Sequence, residues 1–395
     1  MKNFINRRSL LKSSLMTISG LALAPHISVG AFSGSSFSLD SNNRLYYSPL
    51  LREHFLDERP NVSAMMARLN ANENPYGPPE STKKAVADSV SGGNRYSWKE
   101  LTTLVDKIAK KEGVTPDHIM MGPGSSDLLE KVALVLFMKG GNVVSADPTY
   151  MSLIRVAEAT GATWKAIPCK PDWSHDLDAM EKAIDKDTKM VYICNPNNPV
   201  GSITAGKDLL AFCSRVSEKV PVFIDEAYLE LAEGNGTESM VSLLSQNKNV
   251  IIARTFSKIM GMAGLRVGYA VATPKFLDQI QKITRGGMGI SHTSILGAIA
   301  SFEDKEFQAN TKKLNTECKQ YVYENLTKMN YKYIPSFTNF IIFPIAMNGK
   351  DFLAKMNSKG IMVRAFDIQN KPWCRVSMGT MDEMKMFIKA LGEVS

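Results

Sequence analysis

Residues 250–258 read Val-Ile-Ile-Ala-Arg-Thr-Phe-Ser-Lys, a short apolar strand that runs into a polar turn with one lysine, Lys258. A lysine buried at the end of a strand is costly, because burial disfavours its charged form. A lysine with a lowered pKa can form a Schiff base with a carbonyl group. The hydroxyls of Thr255 and Ser257 and the guanidinium of Arg266 could hold a phosphate beside it. The same residues are also compatible with a surface loop that carries one solvated lysine.

The motif around Lys258 resembles that of fold-type I aminotransferases, which use pyridoxal 5'-phosphate (PLP). The resemblance rests on Thr-Phe-Ser-Lys at 255–258 and on Arg-Val-Gly-Tyr at 266–269, with two glycines between them. Upstream, Arg-Leu-Asn-Ala-Asn-Glu-Asn-Pro-Tyr-Gly-Pro-Pro at 68–79 and Asn-Pro-Asn-Asn-Pro-Val-Gly at 195–201 are similar to the histidinol-phosphate aminotransferase branch of class I/II. The family usually has threonine where Val200 stands. The resemblance covers roughly residues 60 to 395.

The resemblance implies an α/β fold of fold-type I, with a large domain built on a mostly parallel seven-stranded sheet flanked by helices, and a smaller α+β domain. The predicted ranges are a signal peptide at 1–31, a linker and arm at 32–60, a segment at 61–95 that contributes to the small domain and the active site, the large domain at 96–290 and the small domain at 291–395. We expect strands at 119–121, 143–145, 190–194, 222–224, 339–344, 361–364 and 375–379, and helices at 99–111, 127–138 and 350–358. We also expect a long helical region over 274–330 with a break at 286–287, an arm or short helix before residue 60, and a final helix.

Composition and charge narrow the class of protein. The chain has 395 residues, of which 44% are hydrophobic and 22% charged, so it has ample core for two domains. The net charge of +8 is spread without a basic block, which argues against a nucleic-acid partner. The five cysteines show no paired spacing and are expected to be free and mostly buried. The five histidines are scattered, so we predict no metal site.

The N-terminus has the pattern of an export signal. Arg7 and Arg8 precede a weakly apolar run at 15–23 and the small-residue pattern Val-Gly-Ala at 29–31, which resembles a twin-arginine (Tat) signal peptide. We predict cleavage after Ala31, a periplasmic location and the Tat export machinery as a partner. Because that route carries folded proteins, PLP could be loaded before export. The run is too short for a stable membrane span, although an uncleaved or anchoring tail is the alternative.

The resemblance assigns cofactor contacts residue by residue, at Tyr96, Ser125, Ser126, Tyr150, Asn198, Asp225, Tyr228, Thr255, Ser257, Lys258 and Arg266. A glycine-serine turn that opens a helix, as at 122–126, also offers backbone N–H groups to a phosphate. Asp225 would pair with the pyridinium nitrogen, Asn198 and Tyr228 would bind the phenolic oxygen, and Tyr150 would stack on the ring. Tyr96 would reach the partner subunit's cofactor phosphate, which implies a homodimer. The alternative for Tyr96 is a core or surface tyrosine, and the alternative for Tyr150 is a packed core tyrosine.

Substrate contacts are implied at Asn74, in the loop that closes over the substrate, and at Arg375 and Arg364, which bind anionic groups; a solvated strand-end arginine is the alternative for Arg364. With Lys258, Asp225 and Tyr228 as catalytic residues, the resemblance implies an exported aminotransferase. It would transfer an amino group between an amino acid, or a histidinol-phosphate-like amine, and a 2-oxo acid. Two alternatives stay open. One is an exported PLP-dependent oxidase or decarboxylase, for example on arginine, with oxygen as a reactant for the oxidase. The other is a catalytically silent PLP-binding module.

Overall fold

The structure is a computed structural model, and it describes residues 39–40, 42–57, 61–232 and 234–394. The predicted signal peptide and its cleavage site lie outside the described residues. Within the described part of the chain, no helix has the length and apolar character needed to cross a bilayer. The same residues include no cluster of three or more His, Cys, Asp or Glu side chains that could hold a metal ion. All five cysteines are free and four of them are buried, which confirms the prediction of free and mostly buried thiols.

Strands and helices alternate along most of the chain. The strands are β1 (Arg44–Tyr46), β2 (Leu51–His54), β3 (Ala67–Arg68), β4 (Ile119–Gly122), β5 (Asn142–Asp147), β6 (Thr163–Pro168), β7 (Thr188–Cys194), β8 (Val222–Asp225), β9 (Val250–Thr255), β10 (Gly268–Val271), β11 (Phe340–Pro344), β12 (Ile361–Met362), β13 (Arg364–Ile368) and β14 (Lys371–Ser377). The α-helices are α1 (Glu80–Ser89), α2 (Trp98–Glu112), α3 (Ser125–Phe137), α4 (Ser152–Ala159), α5 (Leu177–Lys182), α6 (Gly206–Val216), α7 (Leu229–Ala232), α8 (Pro274–Gln281), α9 (His292–Glu303), α10 (Lys305–Lys328), α11 (Gly349–Ser358) and α12 (Met381–Val394).

A seven-stranded sheet forms the larger layer, in the order β4-β10-β9-β8-β7-β5-β6. Strand β10 runs antiparallel to both of its neighbours, whereas β9, β8, β7, β5 and β6 pair in parallel. Successive side chains of β9 pack into two apolar clusters, with Val250 and Ile252 in one and Ile251 and Ala253 in the other. Burial on both faces explains why these strands are apolar throughout. The predicted mostly parallel seven-stranded sheet is confirmed.

A five-stranded antiparallel sheet forms the smaller layer, in the order β1-β2-β13-β14-β11. Within residues 32–60, expected as a linker and an arm or short helix, the chain forms the strands β1 and β2. The reason is a long-range pairing: β2 aligns Leu51, Arg52 and Glu53 with β13, which a local reading of the sequence does not reveal. Strand β3 pairs in parallel with β12 and so ties the start of the 68–79 loop to the C-terminal part of the chain.

Several predicted boundaries differ from the structure. The helical region at 274–330 consists of three helices, with a 3₁₀ turn at Gly286–Gly289 and a second break at Asp304. Asp304 ends α9 and accepts a hydrogen bond from the backbone N–H of Phe307, so it caps α10. The strand expected at 361–364 is split at Val363 into β12 and β13, and β14 begins at Lys371 rather than at Arg375. The predicted domain boundaries stay predictions.

The carboxyl ends of the parallel strands lie along one edge of the large sheet. Cys194, at the end of β7, is aligned with Asp225, and Asp225 is aligned with Ala253 of β9. Asp225 ends β8, and the loops that follow β7 and β9 carry Asn198 and Lys258. Ligand sites of open α/β sheets form at this edge, so the fold collects residues that are far apart in sequence.

Candidate active site

Lys258 lies three residues beyond the end of β9. Its Nζ donates a hydrogen bond to the backbone carbonyl of Asn72 at 2.9 Å and lies 5.4 Å from the centre of the Tyr228 ring. Burial and the Arg375 cation lower the pKa of the Lys258 amine to about 8. The lysine lines a cleft, so the alternative of a solvated surface loop does not apply. An amine with this pKa can accept and release a proton near neutral pH.

Asp225 is the last residue of β8 and is 3% exposed. One carboxylate oxygen accepts the backbone N–H of Ala227 at 3.2 Å, and the other accepts the hydroxyl of Tyr192 at 3.4 Å. Burial raises the pKa of the Asp225 carboxyl to about 6. An adjacent cation stabilises the charged form of a buried carboxylate whose hydrogen-bond donors are neutral. The site is therefore suited to a protonated ring nitrogen.

A phosphate-sized cradle forms where α3 begins. Gly124 has φ of +89°, and a Cβ built on it would lie 2.1 Å from Nη2 of Arg266. Only glycine lets the guanidinium approach the helix N-terminus this closely. Nη1 of Arg266 donates to Oγ of Ser257 at 3.3 Å, and Oγ1 of Thr255 donates to the same oxygen at 2.9 Å. Two hydroxyls, a guanidinium and the first N–H groups of α3, from Ser125 onward, form an anion-binding set.

Tyr150 lies beside this cradle. Its hydroxyl and Oγ of Ser126 are hydrogen-bonded at 3.1 Å, and Ser152 donates to it at 3.4 Å. Tyr150 follows the carboxyl end of β5, and its side chain is half-buried. The structure thus brings together Ser126 and Tyr150, both of which are predicted cofactor contacts.

The loop at 68–79 packs directly on the turn that carries Lys258. Gly261 has φ of +69°, and a Cβ built on it would lie 2.1 Å from the carbonyl oxygen of Gly77. Nδ2 of Asn74 donates to the Ile259 carbonyl at 3.2 Å and to Thr311 Oγ1 at 3.3 Å. The predicted substrate residue Asn74 therefore lines the same cleft as Lys258, where its amide joins two segments.

Arg375 is 3% exposed and faces Asn198 across the two sheets. Its Nη1 donates to Oδ1 of Asn198 at 2.8 Å, and its Nη2 donates to the Asn70 carbonyl at 3.4 Å. Its guanidinium carbon lies 5.2 Å from the centre of the Phe340 ring. Burial and the neighbouring Arg364 lower the pKa of Arg375 to about 10. Both predicted residues, Asn198 and Arg375, therefore meet at the site.

The remaining predicted residues are Arg364 and Tyr96. Arg364 forms an ion pair with the buried carboxylate of Glu53 from β2, a partner that the sequence did not indicate. Tyr96 is 79% exposed, with its ring 5.9 Å from that of Trp98. Tyr96 thus lies on the surface of the chain and is not a residue of the packed core.

Three residues of the site were missed as functional residues in the sequence. Asn72 binds Lys258 through its carbonyl and donates from Nδ2 to the Tyr228 hydroxyl at 3.1 Å. Tyr192 donates to Asp225 from within an apolar strand. A hydroxyl inside a run of buried residues was the signal for Tyr192, because buried hydroxyls need partners. Glu53 carried no comparable local signal.

Comparisons with known proteins show the family to which the chain belongs. Residues 64–391 match the family described as aminotransferase class I and II. Histidinol-phosphate aminotransferase of Caldicellulosiruptor saccharolyticus is 34% identical over 83% of this chain and 91% of its own length. The Bacillus subtilis protein of the same name is 33% identical over the same shares. A crystal structure of histidinol-phosphate aminotransferase from Sinorhizobium meliloti in complex with PLP has a TM-score of 0.77 and 27% identity, over 84% of this chain and 91% of that one.

The fold and the site define a PLP-dependent enzyme of fold-type I. The chain belongs to the class I and II aminotransferase family, and it is an aminotransferase whose cofactor is PLP.

The residues present fit that cofactor. The cradle at Gly124 and Arg266 suits its phosphate, the buried Asp225 carboxylate suits its ring nitrogen, and the amine of Lys258 suits its aldehyde. These three chemical matches lie at one edge of the sheet, so together they favour PLP more strongly than any one of them does alone.

Proposed function

We propose that the protein transfers an amino group from an amino acid, or from a histidinol-phosphate-like amine, to a 2-oxo acid. The observation that carries this proposal is the half-buried Lys258 amine, with its pKa lowered to about 8 and with Arg375 close enough to contribute to that shift. The Lys258 amine can move the proton while the Arg375 guanidinium holds the donor's anionic group. The names of the relatives above favour the same reaction.

The chemistry that PLP supplies when bound is an aldehyde carbon and an electron-withdrawing ring. Arg375 would hold the anionic group of the donor, because among the described residues its guanidinium donates hydrogen bonds only to neutral oxygens. Lys258 would take the proton from the donor's α-carbon at Nζ and release it again. Tyr228, whose hydroxyl is held by Asn72, would fix the position of the cofactor's phenolic oxygen.

A direct test is glutamate formation from 2-oxoglutarate, with the purified PLP-loaded protein and a panel of amino donors. We expect glutamate in proportion to donor consumed, and a loss of at least about a hundredfold in Lys258→Ala, the range of general acid–base catalysis. Product formation that continues without any oxo acid and consumes oxygen or releases carbon dioxide would replace this proposal with the oxidase or decarboxylase. No product from the wild-type protein with any donor, and the same result for Lys258→Ala, would revive the silent binding module.

We also propose that the enzyme works as a homodimer in which Tyr96 acts in the partner's site. Support comes from the exposure of Tyr96, Trp98 and Val90, which are 79%, 55% and 64% exposed. Exposed apolar groups clustered on a surface mark interaction sites. Co-expression of Tyr96→Ala with Lys258→Ala tests this, since only a mixed dimer combines an intact Lys258 with a Tyr96 from the other chain. Activity above that of either variant alone is expected; no recovery in a verified mixed dimer contradicts it.

We further propose export through the Tat route, on the sequence evidence of Arg7, Arg8 and the run that follows. Cell fractionation of the full chain should find the mature protein in the periplasm, with its N-terminus at residue 32. Replacement of Arg7 and Arg8 by lysine should retain the protein inside the cell. Cytoplasmic wild-type protein with residues 1–31 still attached would contradict the proposal.

A further inference from the structure

The small sheet places two arginines side by side. Arg364 of β13 and Arg375 of β14 are direct cross-strand partners, so their side chains leave the sheet on the same face. Glu53 of β2 is the cross-strand partner of Phe366, two residues from Arg364, and lies on that face as well. Like charges directly opposite one another destabilise a strand pair unless an anion offsets them. The chain provides one such anion itself.

Glu53 neutralises one of the two arginines. Nε and Nη2 of Arg364 both donate to its carboxylate. The Tyr47 hydroxyl donates to the other carboxylate oxygen at 2.6 Å, and Glu53 is 2% exposed. Burial lowers the pKa of Arg364, but the attraction of Glu53 outweighs it and raises that pKa above its ordinary value. A buried, charge-assisted pair of this kind is costly to separate.

Arg375 has no carboxylate partner among the described residues. It contacts the oxygens of Asn198 and Asn70, and its buried Nε lacks a hydrogen-bond partner there. The face thus carries two guanidinium groups and one carboxylate, which leaves one positive charge for a ligand. A single carboxylate balances that charge. A phosphomonoester carries a charge of about −1.5 to −2 at neutral pH. Its additional negative charge would lie next to the negative charge of Glu53.

The segment that carries Glu53 is fixed to both sheets. Ser48 donates to the Asp147 carboxylate at 2.9 Å, the Arg155 guanidinium carbon lies 4.3 Å from the centre of the Tyr47 ring, and β2 pairs with β13. Burial raises the pKa of the Asp147 carboxyl to about 6. The segment precedes residues 64–391, the part that matches the family. Glu53 is therefore held in a fixed position in the site, although it lies outside the part of the chain that matches the family.

We propose that Glu53 is a specificity-determining residue: by neutralising Arg364, it makes the site select amino donors with a single carboxylate over donors that carry a phosphomonoester. The inference rests on the proposed transfer function and narrows its donor to the class of monocarboxylic amino acids. Arg375 holds the carboxylate, and Arg364 with Glu53 sets the charge that the site accepts.

Unreactive probes separate this inference from turnover. We would measure by calorimetry the dissociation constants of 3-phenylpropionate and 2-phenylethyl phosphate for the PLP-loaded full chain. The two compounds share the ring and a two-carbon spacer but end in a carboxylate or a phosphate. The same panel would be run on Glu53→Gln, which keeps the shape but removes the charge. Asp57→Asn is the matched control, since it removes a carboxylate from the same segment where the side chain is 71% exposed.

We expect wild-type protein to bind 3-phenylpropionate at least tenfold more tightly than 2-phenylethyl phosphate. Glu53→Gln should shift that ratio at least tenfold towards the phosphate, and Asp57→Asn should leave it within twofold. A wild-type preference for the phosphate, which needs no variant, overturns the inference, as does an unchanged ratio in a folded Glu53→Gln protein. Tight, selective carboxylate binding without any oxo-acid-dependent turnover would instead refute the transfer function alone.

Discussion

Replacement of Arg254 by methionine is expected to be strongly destabilising, because the buried Arg254 side chain links the carboxylates of three glutamates. Its side chain is 5% exposed and contacts Glu226 at 2.9 Å, Glu230 at 3.1 Å and Glu112 at 3.7 Å. Lys111 reaches Glu230 at 3.5 Å, so the cluster holds three carboxylates and two cations. Removing Arg254 leaves one cation for three carboxylates.

The size of the effect follows from burial. One contact at 2.9 Å contributes roughly 6 kcal/mol of attraction at an effective dielectric constant of about 20, and desolvation offsets part of it. Breaking a buried pair on one side costs about 3–5 kcal/mol in measured cases, and we expect Arg254→Met to fall in that range. Arg215→Met is the matched control, because Arg215 meets Glu181 at the same 2.9 Å with its side chain 56% exposed. Exposed pairs contribute about 0–1 kcal/mol.

The deficit of Arg254→Met should also depend on pH. In the wild-type protein burial raises the pKa of Glu230, but Arg254 outweighs it and lowers that pKa; burial raises the pKa of Glu226 despite Arg254. Without the cation, both folded-state pKa values should lie above their unfolded values. Stability from such groups is complete below the unfolded pKa and is lost as pH rises through the folded pKa. The deficit should therefore be larger at pH 8 than at pH 5.

Urea unfolding of both variants at pH 5 and pH 8 measures these differences as shifts in midpoint at constant m-value. We expect the deficit of Arg254→Met to shrink at pH 5 by at least about 1.4 kcal/mol, the equivalent of one pKa unit. Equal stabilities of Arg254→Met and Arg215→Met, or a deficit that does not change with pH, would refute the argument.

Two further predictions concern the cofactor site. In cofactor-free protein, the rate of acylation of Lys258, followed by mass spectrometry, should rise with pH and reach half its maximum near pH 8, because burial lowers the pKa of this amine; a half-maximum above pH 10 would contradict the assigned environment. Gly124→Ala should weaken PLP binding at least about tenfold in a cofactor titration, a loss of about 1.4 kcal/mol, because the added Cβ would lie 2.1 Å from Arg266. Gly113→Ala is its control: φ is +70° but no atom lies within 4 Å of the added Cβ, so equal losses would implicate backbone strain alone.

The sequence by itself was sufficient for four parallel strands of the large sheet, β5, β7, β8 and β9, and for the loops at their ends. Continuous apolar runs such as 190–194 and 222–224 marked the buried parallel strands, and the polar residues directly after them marked the ligand edge. These signals are local: the apolar run and the residue that follows it are neighbours in the chain. For that reason Asp225 and Lys258 could be singled out before any contact was known, and the structure places them as expected at one edge of the sheet.

Tertiary structure alone decided which charges meet. Glu53 and Arg364 are 311 residues apart, and neither residue's surroundings in sequence indicate the other. The same holds for Arg254 and Glu112, which belong to different elements. Charge pairing depends on strand order and register, which long-range packing sets, and the lowered pKa of Lys258 depends on burial by distant segments. The sequence thus determined which chemistry the ligand edge of the large sheet can support. The fold determined the charge balance of the site, because that balance depends on residues that only folding brings together.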